Sequence, residues 1–377
     1  RLTPMLPLLP MGLIYNDAND YNVLVTRQRV SGVIDFGDMV YSWQVAEPAV
    51  ACAYVLLGKD DPMEAILPVI TGYHGSRPLK NAEIFVLFDL IRLRLCTSVC
   101  MAAWQMNQRP QDEYLYISQK PILTVLPGLL ECDFRLAHAR LRQACGLDPL
   151  ADAMGTLNWL KEKQGHGDFA AVLPVDLQSD TVKVLDLGIA SALYQGDPQS
   201  DNGEKELTRR IESEMKSAGA SVGIGRYDEA RLLYTSSLFQ KGNPGEEGRM
   251  VHLGMDLFMP AGNPVSAPLD GFVHSFARNR ARLDYGPVII LEHRDPDGKS
   301  CYTLYGHLSP DSIRGLHVGR KIQKGEIFAR LGSPKVNGGW TPHLHFQLML
   351  DLFGLDTDFP GVAKASEREF WCAVCPD

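Results

Sequence analysis

Ten histidines occur among the 377 residues, and two of them, His343 and His345, stand one residue apart in the apolar run TPHLHFQ. On a β-strand, side chains i and i+2 project to the same face, so the two imidazoles would lie side by side. Two neutral imidazoles on one face suit a metal ion, an acid/base pair, or one of each. An ordinary surface strand is the plain alternative. Upstream, HLGMD sets His252 and Asp256 four apart, again one face of a strand. Between these two segments, LYGHLS supplies His307, with Tyr305 two residues earlier on the same side. Two imidazoles, a carboxylate and an open fourth position are what a catalytic zinc requires. Such a metal lowers the pKa of a bound water and polarises a carbonyl. Histidines left over can shuttle protons or hold a developing oxyanion. The remaining His74, His138, His166, His274, His293 and His317 fall in helical stretches, turns or strand ends without ligand partners at suitable spacing.

A second constellation lies near the start, in IYNDANDYNVLV followed by GVIDFGD. Asp17 and Asn22 are five apart in a loop between apolar runs, and Asp35 follows at the end of a β-hairpin. An aspartate poised for a hydroxyl proton, with an asparagine and a DFG-type aspartate on Mg²⁺, makes up the metal side of a kinase site. Cys372 and Cys375 form a CxxC with no second pair and no βαβ context, and read as incidental.

These residues need elements to hold them. The chain is too long for one typical core, so two or three domains are expected. It is 45% hydrophobic and 22% charged, ordinary for a globular protein. A net charge of −8 gives no reason to expect nucleic acid as a partner. No apolar run approaches transmembrane length, so no membrane partner is expected. The eight scattered cysteines favour a reducing compartment, and a cytoplasmic location is the expectation. Residues 1 to 45 read as loop, strand, turn (TRQR), strand. From 46 to 147 apolar residues recur at three- and four-residue spacing, the helical period, punctuated by Pro62, Pro78, Pro110 and Pro121. VKVLDLGIASA reads as a strand entering a turn, QGDPQSDNGE as a polar connection, and EKELTRRIESEMKSAGA as a charged amphipathic helix. From about 226, the short candidate strands MVHLGMDLF, PVSAPLDGFVHSF, GPVIILEH, CYTLYGHL and PHLHFQLML, punctuated by Gly and Pro, predict a sandwich or small barrel.

Residues 251 to about 350 resemble the lysostaphin-type zinc endopeptidases, which cleave peptidoglycan peptides. HLGMDLFMPAGNPVSAPLDGFV, YTLYGHLS, VGRKIQKGEIFARLG and PHLHFQL carry the resemblance. It implies Zn²⁺ held by His252, Asp256 and His345, with His307 and His343 as the catalytic or transition-state-stabilising pair. It also implies a compact antiparallel β-sandwich with a groove across one sheet. SPKVNGGWTPHLHF departs from the family's small Ser/Thr-Gly stretch and places Asn337 and Trp340 near the groove mouth.

Residues 1 to about 147 resemble the C-terminal lobe of the aminoglycoside phosphotransferase-like kinases, nearest the hydroxylysine kinase type. That implies Asp17 as base and Asn22 and Asp35 as Mg²⁺ ligands, with Tyr15 where the family commonly has histidine. No Gly-rich loop or strand lysine precedes Asp17, so Mg²⁺ and ATP are expected only alongside an N-terminal lobe, and no phosphotransfer is expected from this chain alone. The pairing resembles large bacterial fusion proteins that continue into a pyridoxal-phosphate aminotransferase, with FPGVAKASEREFWCAVCPD as the lead-in.

The expected fold class is thus α+β multidomain: a mostly helical kinase-like lobe over 1–147, a linker or extension over 148–225, and a β-sandwich peptidase domain with a C-terminal tail over 226–377. The expected function is a zinc-dependent peptidase or amidase acting on a small peptide or amide. The alternative is a non-catalytic metal-binding scaffold or ligand-binding module between kinase and aminotransferase ends of a larger fusion polypeptide.

Overall fold

The computed structural model describes all residues except 28, 110–118, 177–179, 197–203, 235–237 and 240–246. Pro110, Gln28 of the TRQR turn and most of the QGDPQSDNGE connection therefore lie outside the described residues. The chain divides into two compact units, Arg1–Pro149 and Leu150–Asp377.

In the first unit, strands β1 (Met11–Ile14), β2 (Val23–Thr26), β3 (Arg29–Val33) and β4 (Val40–Trp43) form two antiparallel pairs, β1 with β4 and β2 with β3. Residues 2–8, read from the sequence as loop, are helical. Among the described residues five longer helices follow, Ala46–Val55, Pro62–Ser76, Asn81–Gln108, Gln119–Glu131 and Phe134–Ala144. Their starts are written locally. Asp61 accepts from the Glu64 amide with Pro62 at the first helical position, and Asp133 accepts from the amides of Arg135 and Leu136. One apolar core, with Leu56, Ile70, Ile84, Leu87, Phe88 and Ile91 sealed inside, joins these helices. The paired strands instead leave Leu13, Val25, Val30 and Tyr41 exposed.

The second unit is built on one sheet of eight strands. In chain order the strands are β5 (Val182–Leu185), β6 (Val222–Gly225), β7 (Arg249–His252), β8 (Met255–Phe258), β9 (Pro264–Ser266), β10 (Gly271–Arg278), β11 (Pro287–Arg294), β12 (Ser300–Gly306), β13 (Lys321–Ile322), β14 (Ile327–Arg330), β15 (His343–Met349) and β16 (Val362–Lys364). The sheet runs β13-β10-β11-β12-β15-β8-β6-β5, and β14-β9 and β16-β7 form separate two-stranded pairs. Its pairings are antiparallel except β5 with β6, which are parallel and lie in the 148–225 segment read as a linker or extension. Strand β11 shows why its sequence is a continuous apolar run. Val288, Ile289, Ile290 and Leu291 are all fully buried, covered on both faces.

Two segments depart from their sequence reading. PVSAPLDGFVHSF, read as one strand, breaks into β9 and β10 at the Pro268–Asp270 turn. The C-terminal stretch read as a lead-in is part of this unit. Its β16 pairs with β7, and helix Arg368–Val374 buries Phe370 and Val374. Cys375 is buried too, and its carbonyl accepts from the Tyr227 hydroxyl at 2.6 Å.

Candidate metal centre

The side chains of His252, Asp256 and His345 converge. His252 Nε2 lies 2.9 Å from His345 Nδ1, and Asp256 Oδ1 lies 3.2 Å from each. Register explains half of this. Asp256 and His345 are direct cross-strand partners of β8 and β15, and partners in an antiparallel pair bring their Cβ atoms within about 5 Å. His252 arrives differently from its sequence reading, because HLGMD is not one continuous strand. It ends β7, which pairs with β16, and a two-residue break carries the chain into β8. Gly254 in that break stands where a Cβ would come within 2.8 Å of the His345 ring.

The ring protons decide what the triangle can hold. A neutral imidazole carries one N–H and one lone pair. His252 Nδ1–H donates to the Arg226 carbonyl at 3.0 Å, leaving the Nε2 lone pair facing inward. Gln347 Nε2 donates to the Pro360 carbonyl, which turns its Oε1 to accept from His345 Nε2–H at 2.9 Å. The His345 Nδ1 lone pair therefore faces inward as well. Two lone pairs and a carboxylate oxygen within a triangle of roughly 3 Å repel unless a cation sits among them. Ligand atoms about 2.0–2.1 Å from a tetrahedral Zn²⁺ stand about 3.3–3.4 Å apart, close to these separations. The donor set fits zinc. Among the described residues this is the only group of three or more such side chains so gathered.

His343 and His307 border the triangle. His343 shares the face of His345 on β15, as alternation requires, with Nε2 3.5 Å from Asp256 Oδ1. Its Nδ1–H donates to the Thr341 carbonyl at 2.6 Å. His307 follows β12 with φ of 62°, and its Nδ1–H donates to the Asn337 carbonyl at 3.0 Å. The two rings lie 4.3 Å apart, each with an Nε2 lone pair uncommitted. All five residues are between 2% and 5% exposed. Burial, then the charge of Arg231, pushes His252 down to about 4. Burial likewise lowers His343 and, with His343 and His345 beside it, holds His307 well below the usual histidine range. Burial alone would raise Asp256, but His252, His343 and Arg231 outweigh it and hold the carboxyl well below its ordinary value.

Several expectations need correction here. The positive φ of His307 breaks strand alternation, so Tyr305 turns into the core against Phe328 and Phe346. Asn337 is fully buried, with its side chain stapling the loop to Gly332 and Trp340. His293 lies within β11, buried, bonded to the Asp270 carbonyl and the Thr303 hydroxyl. Three residues at the centre were missed from sequence. Arg231 donates to Asp256 Oδ2 at 2.6 Å and to Glu229 at 2.8 Å, fully buried. The Tyr285 ring lies tilted beside those of His345 and His307, at 5.4 and 6.0 Å, and Gln347 fixes the His345 tautomer.

In the first unit, Asn22 Nδ2 donates to Asp17 Oδ2 at 2.6 Å, and Arg94 pairs with Asp17 Oδ1 at 3.4 Å. Asp35, with φ of 58°, turns its carboxylate to the Gly37 amide at 3.3 Å and is exposed. Tyr15 reaches across to the Ile34 carbonyl.

Comparisons with known proteins divide along the same lines. Residues 250–355 match the model of Peptidase family M23, and residues 1–82 match that of the Phosphotransferase enzyme family. A hydroxylysine kinase of Danio rerio is 31% identical over 137 residues, covering 35% of this chain and 39% of the relative. An uncharacterized metalloprotease of Haemophilus influenzae is 32% identical over 134 residues, covering 34% of this chain and 25% of the relative. The chain thus spans well under half the length of these relatives. Among solved structures, the catalytic domain of lysostaphin from Staphylococcus simulans is 26% identical, with a TM-score of 0.24, covering 35% of this chain and 85% of that one. A zinc-containing peptidase from Vibrio cholerae is 28% identical, with a TM-score of 0.22, covering 28% and 31%.

Proposed function

We propose that the M23 peptidase domain at residues 250–355 hydrolyses an amide bond of a small peptide at a zinc held by His252, Asp256 and His345. The observation that carries this reading is the triangle of two inward lone pairs and one carboxylate oxygen, 2.9 to 3.2 Å on a side. A bound zinc supplies a Lewis acid for the amide carbonyl and acidifies a water. The other steps belong to this chain's side chains. His343 Nε2 accepts the proton of the attacking water and returns it to the leaving nitrogen. His307, with its Nδ1–H committed to Asn337, accepts from the same water through Nε2 and orients it. Their lowered proton affinities keep both rings neutral at pH 7, as a base requires. Arg231 neutralises the back of Asp256, and Gln347 and the Arg226 carbonyl hold the two imidazoles in ligand tautomers.

Metal analysis together with amine release from small peptides tests this, comparing the parent with His345→Ala. One zinc per chain and measurable turnover are expected of the parent, and loss of both of the variant. A parent that takes up no zinc removes the reading. Zinc without any turnover favours the non-catalytic scaffold instead.

For the first unit, alongside an N-terminal lobe able to hold ATP, Asp17 would serve as the base for a substrate hydroxyl, and Asn22 and Asp35 as ligands of the accompanying Mg²⁺. The match over residues 1–82 and the Asn22–Asp17 hydrogen bond support this. A cytoplasmic location is supported by eight unpaired cysteines. No helix among the described residues is long and apolar enough to cross a membrane.

A further inference from the structure

We infer that the cavity bordering the metal triangle is a specificity pocket for one bulky apolar side chain of the substrate, with the Trp340 indole N–H as donor to the substrate's backbone carbonyl. This rests on the hydrolase reading above and names its substrate class. The cavity encloses about 280 Å³, at the lower edge of the roughly 300–1,000 Å³ typical of ligand sites. That is room for a large side chain and the amide beside it. His252, Asp256, His307, His343 and His345 line one side. The facing wall is apolar: Leu207 and Ile211 of helix Glu204–Ser217, Leu233, Tyr234, Leu283 and Trp340.

Four of those six wall residues precede residue 250, where the family match begins. The apolar wall therefore draws mainly on residues upstream of the matched region, while the rest of the lining lies within or just beyond it. It is built in advance of any ligand. Thr208 and Thr341 share a hydroxyl hydrogen bond at 3.0 Å, tying the helix to the loop that presents Trp340. The Tyr234 and Trp340 rings meet edge to face at 6.1 Å.

Trp340 supplies the second observation. Its Nε1–H is buried without a hydrogen-bond partner, although its ring stands 6.0 Å from His307 and 6.3 Å from His343. Buried indole N–H groups usually find an acceptor. A substrate carbonyl in the cavity would be one, placed beside the reacting centre. An apolar side chain against Leu207 and Ile211 would gain burial, whereas a charged one seated there would lose its hydration among apolar neighbours; Arg249, Asp284 and Asp358 are also part of the cavity lining.

The test is calorimetric titration of the zinc-loaded protein with capped dipeptides differing at one position, phenylalanine against glycine, with amine release measured separately. The phenylalanine peptide is expected to bind at least tenfold more tightly. Leu207→Phe, which fills the cavity, should narrow that ratio below threefold. Trp340→Phe, which keeps a ring but removes the donor, should weaken both peptides severalfold and equally. Equal affinity of the parent for the two peptides overturns the pocket, whether or not either is cleaved. Tighter phenylalanine binding without cleavage upholds the pocket and removes the hydrolase reading. If Leu207→Phe fails to retain zinc, the parent's discrimination and Trp340→Phe still decide the matter.

Discussion

Asp256 presents one oxygen to the histidines because an arginine holds the other. Arg231 is fixed in turn by Glu229, so removing its guanidinium would strand two buried carboxylates. Breaking such a pair from one side costs about 3–5 kcal/mol. Arg231→Met is expected to lower zinc affinity about 10–100-fold, read by competition with a fluorescent chelator, and Arg231→Lys to recover part of it. Full zinc affinity in the methionine variant would deny Arg231 its positioning role. Acid should act on the same cluster. The folded-state pKa of His252, about 4, lies below its unfolded value of about 6.5. The folded protein thus binds the proton less readily than the unfolded chain. Its contribution is present above about pH 6.5 and is lost as pH falls through 4, up to about 3 kcal/mol in all. Asp256, also depressed, adds a loss at more acid pH. Urea midpoints of metal-free protein should therefore fall between pH 7 and pH 4, and a flat profile would count against a buried neutral His252. The grouping of His252, Asp256, His343 and His345 was legible because HxxxD and HxH set those four by local spacing, whereas His307 belongs to neither motif. Gln347, two residues beyond His345 on β15, obeyed the same period and was there to be found. Arg231 and Tyr285 were not, since only tertiary pairing brings them in.

At the scale of elements, the site depends on a strand that stops. Had HLGMD continued as one strand, His252 would have stayed in the main sheet. Instead β7 leaves to pair with β16, and Gly254 lets the chain turn against β15. A Cβ there would meet the Phe346 carbonyl at 2.7 Å and His345 Cε1 and Nε2 at 2.8 Å. Backbone on one side and a ligand ring on the other leave nothing flexible to yield. Gly254→Ala is expected to cost about 1–3 kcal/mol through overpacking and to lower zinc content, measured by thermal melting and metal analysis. An alanine variant with full zinc and an unchanged melt would show that the turn has slack. Sequence periodicity located β11, β12 and β15, strands of seven or eight residues, and placed β8 within a longer run. It failed where a proline-rich corner split β9 from β10, and at His307, whose left-handed backbone defeats alternation. It also failed at the C-terminus, where β16 is only three residues long. Strands that short carry too few positions for a period to be read.

For the whole molecule, the two units differ in what a metal can do to them. Each closes its own apolar core, one around Phe88 and Ile91, another around Ile289 and Leu344. All three proposed zinc ligands belong to the second. A ligand that binds only the folded state raises stability by RT ln(1 + [L]/Kd), about 4 kcal/mol at a thousandfold excess over Kd. That gain reaches only the unit whose unfolding destroys the site. Calorimetry of the zinc-loaded chain is therefore expected to resolve two transitions, and chelation to lower one by several degrees while leaving the other in place. His345→Ala should abolish the chelator's effect, which assigns the responsive transition to residues 150–377. If chelation moved both transitions together, the two units would be unfolding as one cooperative body, and the separation of their cores would not extend to their energetics.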